Sequence, residues 1–212
     1  MRYLPELFEN NRAWAARCLE DDELFFDRRR DVQEPPYLWI GCADSRVPAN
    51  EIVGLAAGEL FVHRNVANVV ARDDLNLQSV LQYAIDILRV RHVIVCGHYG
   101  CGGVLAAMGD PLEEPLDSWI GHIRRLRQAY GQELASLDDH DSRWSRLCEI
   151  NVTEQVAELC RCSLVRQAWQ RGQELVVHGW IYDLKDGHLH DLEVTHDGKG
   201  DPGAHAGWGW FC

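Results

Sequence analysis

The chain has 212 residues, 46% of them hydrophobic and 25% charged, enough for one domain of ordinary size with a buried core. The 33 acidic and 21 basic residues leave a formal charge of -12, which repels phosphate backbones and argues against nucleic-acid binding. The first 22 residues carry acids early and no uninterrupted apolar run. Neither a signal peptide nor a membrane span is expected, and a cytoplasmic location is the default.

The first 30 residues read as helix, with Leu7, Trp14, Ala15 and Cys18 near one face, and "EPP" at 34–36 stops it. "YLWIGC" (37–42) and "ELFVHRN" (59–65) read as buried strands. Residues 74–90 form the clearest helix, with Leu77, Val80, Leu81, Ala84, Ile85 and Leu88 at helical spacing. A third strand follows at 92–98, then helices over 115–131 and 145–171, with Val152, Val156, Leu159 and Cys160 sharing a face and Gly172 as C-cap. "ELVVHGWIYDL" (174–184) is a fourth strand, and a turn at Asp186-Gly187 leads to a hairpin-paired fifth. Continuous apolar strands between helices predict an α/β fold. Its central sheet has four parallel strands and an antiparallel edge strand, flanked by helices. Such sheets place their sites at the carboxyl ends of the strands, where Cys42 and His98 both fall.

Eight cysteines, at 18, 42, 96, 101, 148, 160, 162 and 212, are scattered rather than framed for disulfides, and in a reducing compartment they are thiols or metal ligands. His98 and Cys101 sit three positions apart in "CGHYGCGG", a spacing that lets both reach one ion from a turn. With Cys42 they make a Cys2His set, the donor type of zinc sites that keep a fourth position open. Glycines 97, 100, 102 and 103 are expected to let the backbone bend around the metal. Asp44 could fill the fourth position or leave it to water. Burial of two core thiols beside a loop histidine is the competing reading.

"CADSR", "LFVHRNVAN" and "HYGCGG" together resemble the β-class carbonic anhydrases, and the resemblance runs from about residue 33 to 194. It implies one zinc per subunit on Cys42, His98 and Cys101, with Asp44 and Arg46 as a dyad. It implies a helical arm at 1–32 that helps build a homodimer, which many bacterial members pair into a homotetramer. The implied reaction is reversible hydration of carbon dioxide to bicarbonate and a proton, by attack of zinc-bound hydroxide. A carboxylate at Asp44 would orient that hydroxide, and a bidentate pair with Arg46 would hold Asp44 off the metal. The resemblance also implies a substrate slot lined by Val66, Tyr83 and Gly102. Gln33 would reach towards it, in many members from the partner subunit. Trp39, Arg64 and Tyr182 resemble a subgroup that binds bicarbonate away from the zinc. In that subgroup bicarbonate favours a closed state with Asp44 on the metal as fourth ligand, making the enzyme inhibited by bicarbonate.

Two other readings stay open. The same zinc site could hydrolyse carbonyl sulfide or carbon disulfide, or Asp44 could close the site permanently as a non-catalytic sensor. Cys160 and Cys162 point apart on a helix and are read as structural, as are His63, His92 and His122. His188 and His190 share a strand face but are read as exposed or contact residues rather than as a second metal site. We take 1–212 as a single domain: a helical arm (1–32), a zinc-binding α/β core (33–194) and a tail (195–212) whose glycines and tryptophans point in opposite directions, towards flexibility and towards burial.

Overall fold

The computed structural model describes residues 3–199. The chain divides into two compact units, one up to Glu34 and the other from Pro35 onward. The first unit holds helices α1 (Pro5–Asp21) and α2 (Phe25–Arg30). Proline opens α1, where its missing N–H costs nothing. Phe25 and Phe26 meet the edge of Trp14 across the bend, at centroid distances of 6.3 and 5.8 Å. Neither helix has a buried residue, and Leu7, Phe8, Trp14 and Leu19 all remain exposed.

The second unit begins with β1 (Tyr37–Cys42), the short α3 (Ala49–Ile52) and β2 (Leu60–Asn65). A 3-10 turn (Val66–Asn68) leads to α4 (Leu75–Gln82) and β3 (His92–His98). Four helices follow β3 and its turn: α5 (Gly102–Met108), α6 (Leu116–Ala129), α7 (Gly131–Ala135) and α8 (His140–Arg161). The last elements are α9 (Ser163–Gln170), β4 (Val176–Tyr182) and β5 (Leu189–Asp191).

The strands lie in the order β2-β1-β3-β4-β5, four parallel and β5 antiparallel to β4, as the apolar runs predict. From β1 the chain moves one way to β2, and β3 then lies on the other side of β1. The order reverses there, so a crevice opens between the carboxyl ends of β1 and β3. On one sheet face Leu38, Ile40, Val93, Val95 and Val177 pack against Leu77 and Leu81 of α4, Val152, Val156 and Leu159 of α8, and Val165 and Ala168 of α9. On the other, Trp39, Leu60, Ile94 and Cys96 form a smaller cluster with Ala49. A third cluster, among them Cys42, Ala67, Cys101, Val104, Ile120, Ile123 and Ile150, lies beneath the crevice.

Three local features differ from the sequence expectation. The helix expected over 74–90 gives way to a π-helical segment at Tyr83–Ile87, where the Leu88 N–H reaches Tyr83 O. The long helix starts at His140 rather than 145, because Asp139 caps it by accepting from the Ser142 N–H at 2.8 Å. It then breaks at Cys162, whose extended backbone begins α9. The glycines after β3 also play different parts. Only Gly100 (φ +70) turns the chain. At Gly97 a Cβ would lie 2.5 Å from Val152 Cγ2, and at Gly103 2.8 Å from Val66 Cγ1. Those two glycines are there for close approach, not for bending. Among the described residues no helix is long and apolar enough to cross a membrane.

Candidate metal centre

Cys42 ends β1, His98 ends β3, and Cys101 follows the turn at Gly100. The parallel pairing of β1 with β3 brings residues from two distant stretches to one point at the crevice. Their ligand atoms all lie within 4.8 Å of one another, and all three residues are buried. The two sulfurs are 3.9 Å apart. His98 Nδ1 faces Tyr99 O at 3.0 Å, and a carbonyl only accepts, so Nδ1 carries the proton. Nε2 therefore presents a lone pair, and it is buried without a hydrogen-bond partner.

The electrostatics of the thiols point the same way. The Cys42 thiol is drawn well down, chiefly by the hydrogen bond from the Cys101 thiol. The backbone N–H groups of Asp44 and Ala67 add to this, against the cost of burial. The same bond and burial push the Cys101 thiol up. The two thiols therefore oppose one another's ionisation, and a divalent cation between them is what would let both ionise. Two sulfurs, an orphaned imidazole nitrogen and a demand for positive charge fit zinc.

Asp44 borders the cluster, with Oδ2 3.7 Å from His98 Nε2. Arg46 holds it through a fork, Nε to Oδ1 at 2.9 Å and Nη2 to Oδ2 at 2.7 Å, and the Arg46 backbone N–H adds a third bond to Oδ1 at 2.9 Å. The Arg46 side-chain bond is the largest cause holding the Asp44 carboxyl far below the ordinary carboxylate range. The Asp44 side chain is only 16% exposed, whereas that of Arg46 is 59% exposed, so the fork closes the cluster from the solvent side.

Val66 and Gly102 lie beside this centre. Val66 abuts Gly103, and the next residue, Ala67, donates its N–H to Cys42 Sγ at 3.4 Å. Gly102 opens α5, with free space where a Cβ would stand. Within one chain the structure does not bring Tyr83 to the cluster. Its ring lies 5.8 Å from Phe61, which stands four residues before Asn65, the strand partner of Cys42. That is roughly 13 Å along β2. Gln33 belongs to the first unit and is exposed.

Trp39, Arg64 and Tyr182 share one sheet face: the register pairs Gly41 with Arg64 and His98 with Tyr182, and Trp39 is two residues from Gly41. The indole of Trp39 folds over Gly41, where a Cβ would meet its Nε1 at 2.3 Å. Arg64 donates to two carbonyls, Cys42 O at 2.8 Å and Asp44 O, and so ties β2 to the loop that carries the dyad.

Sequence reasoning did not find the residues that brace these loops. Trp144 of α8 donates from Nε1 to Cys101 O at 3.0 Å, and Asn151, one residue before Val152 on the same helix, donates to Ala67 O at 2.9 Å. The signal was present, since a buried position of an apolar helix face carries an amide. Cys160 is buried and Cys162 lies at the helix break, so the two do not converge. A second group, Asp183, Asp186 and His190, is more exposed than the first. One oxygen each of Asp183 and Asp186 already accepts the backbone N–H of Lys185 and His188.

Residues 37–189 match the carbonic anhydrase family. A carbonic anhydrase of Emericella nidulans is 45% identical over 201 residues, covering 93% of this chain and 88% of that one. The solved structure of a Coccomyxa β-carbonic anhydrase in complex with acetazolamide is 38% identical, with a TM-score of 0.93 over 98% of this chain and 95% of that one. One of two tetrameric β-carbonic anhydrases from Sordaria macrospora is 34% identical, with a TM-score of 0.86 over 90% and 97%. With its sheet, its Cys-His-Cys cluster and these likenesses over nearly its whole length, the chain belongs to the β-class carbonic anhydrase family.

Proposed function

We propose that this carbonic anhydrase hydrates carbon dioxide reversibly to bicarbonate and a proton at a zinc ion held by Cys42, His98 and Cys101. The observation that carries the reading is the buried Cys2His cluster whose unpartnered His98 Nε2 faces a carboxylate kept in place by Arg46. Zinc supplies there the Lewis acidity that brings ionisation of water into the neutral range. The chain's own groups do the rest. The fork from Arg46 holds the Asp44 carboxyl well below the ordinary carboxylate range, so Asp44 can accept a hydrogen bond from the attacking water and fix the direction of its lone pair. Arg46 prevents Asp44 from turning inward and taking the fourth position. Val66 and the open backbone at Gly102 offer an apolar wall to an uncharged substrate. Stopped-flow hydration from neutral to mildly alkaline pH, on protein of known zinc content, tests this. Turnover that rises with zinc content supports it, and full zinc occupancy without turnover overturns it. The intact fork between Arg46 and Asp44 speaks against a permanently closed sensor site.

The bicarbonate switch is the finer part of this proposal. Arg64 is tied to both Cys42 O and Asp44 O, so an anion drawing Arg64 away would loosen the loop under the dyad. Trp39→Leu should then weaken inhibition by bicarbonate, and unchanged inhibition removes the switch. A homo-oligomer is part of the same reading. The apolar residues of α1 and α2 are not buried within the chain, and Tyr83 and Gln33 would act on the slot of a second copy. The neighbour from Sordaria macrospora is described as tetrameric. Seven free thiols among the described residues suit the cytoplasm, where we place the enzyme.

A further inference from the structure

Ala67 and Asn68 both hold left-handed backbone conformations, with φ of 63° and 49°, although neither is glycine. Such a turn persists where surrounding contacts over-determine it. Its orientation matters, because the Ala67 N–H points at Cys42 Sγ at 3.4 Å. The contacts that hold it come from α8. Asn151 is 1% exposed and donates from Nδ2 to Ala67 O at 2.9 Å. Its Oδ1 accepts from Gln155 Nε2 at 3.0 Å, and Gln155 Oε1 accepts the Val70 N–H at 2.7 Å. One turn of α8 thus clasps the loop at Ala67 and Val70, with every bond buried. Two turns earlier, Trp144 holds the carbonyl of Cys101.

We infer that Asn151, backed by Gln155, is a positioning residue for the metal centre: by holding the Ala67 carbonyl it fixes the left-handed backbone of the residue whose N–H points at the Cys42 sulfur, and so sets how much charge that sulfur gives to the ion. An N–H on a ligand sulfur withdraws charge and restrains the sulfur, which is the usual work of groups behind metal ligands. Two observations separate this from ordinary core packing. An apolar residue would fill the same space without serving Ala67 O, and the clasp ends on the carbonyl of the residue whose own N–H donates to a ligand. The inference rests on the zinc reading above.

The test compares Asn151→Ala, Gln155→Met and Val156→Ala in the zinc-loaded enzyme. Val156 is buried on the same helix and packs in the cluster against the sheet, not in the one that holds Cys42, Ala67 and Cys101. Zinc affinity is measured by competition with a chromophoric chelator, and the thiolate-to-metal charge-transfer band is recorded after cobalt substitution. Asn151→Ala should weaken zinc by about 10- to 100-fold and shift the cobalt band to longer wavelength, and Gln155→Met should do the same to a lesser degree. Val156→Ala should lower thermal stability while leaving both readouts at the wild-type value. Equal affinity and an unmoved band in Asn151→Ala and Gln155→Met overturn the inference, as does an equal loss in Val156→Ala. If Asn151→Ala does not fold, Gln155→Met decides. Wild type that binds no zinc overturns the zinc reading itself and this inference with it.

Discussion

Gly97→Ala should destabilise the protein by driving α8 off the sheet. The added Cβ would sit 2.5 Å from Val152 Cγ2, about 1 Å inside ordinary van der Waals contact. Val152 is fully buried, and a valine in a helix has one strongly preferred rotamer, so the methyl cannot swing aside. The helix must move, and overpacking of this kind costs about 1–3 kcal/mol. For a domain of this size that is a fall in Tm of about 2–12 °C. Thermal unfolding at matched zinc and protein concentration measures it, since both shift the apparent Tm. Adding Val152→Ala removes the methyl that the new Cβ strikes. The double variant should therefore be less destabilised than the two single losses added together, a coupling of about 0.5–3 kcal/mol. Wild-type stability in Gly97→Ala, or strict additivity in the cycle, would refute the close-approach account.

The remaining predictions concern the dyad, a histidine pair and a helix cap. Arg46→Lys keeps the charge but loses the fork on Asp44, so hydration should fall about 10- to 100-fold with zinc content unchanged, as stopped-flow and metal analysis would show. His92 Nδ1 and His178 Nε2 lie 3.0 Å apart on β3 and β4, and burial is the first cause lowering the pKa of each ring. Arg91 lowers His92 further and Glu174 opposes it, while for His178 Asp191 opposes the lowering. A lowered folded value means the unfolded chain binds more protons. Stability is then fully present above the ordinary histidine value near 6.5 and is lost as pH falls below it. Urea midpoints across that range should show the slope, and His178→Gln should flatten it. Asp139→Ala removes the acceptor that caps α8 at the Ser142 N–H and should cost about 1 kcal/mol in urea unfolding, with little change in zinc content.

Much of this molecule was legible in its residues because burial writes itself into apolar runs. The four parallel strands match their hydrophobic stretches within a residue or two, and Gly187 (φ +77) turns the hairpin where Asp186-Gly187 marks it. The three side chains of the Cys-His-Cys cluster were legible for a different reason: sulfur and imidazole at strand ends have few other uses. What escaped depends on contacts between distant segments. Nothing near Gly97 in sequence says that Val152 will press on it, and the same residue type serves as a bend at Gly100. Tyr83 stands where α4 passes into the π-helical segment, and its ring meets Phe61, a neighbour from β2 that no local spacing announces. Asn151 was visible as a polar residue on a buried face, but its target, one peptide carbonyl 84 residues away, exists only once the sheet is formed.

The separation of the two cysteines bears on when the metal can arrive. Cys42 and Cys101 are 59 residues apart, and only the pairing of β1 with β3, which inserts between them in sequence the whole of β2 and α4, makes them neighbours. A chain still being synthesised presents a lone thiol at residue 42 until the second strand of the pair has emerged and docked. A zinc ion on these side chains would therefore find its full set of ligands only after β3 and the turn that follows it have joined β1, so its uptake by newly made chains would keep time with completion of the sheet.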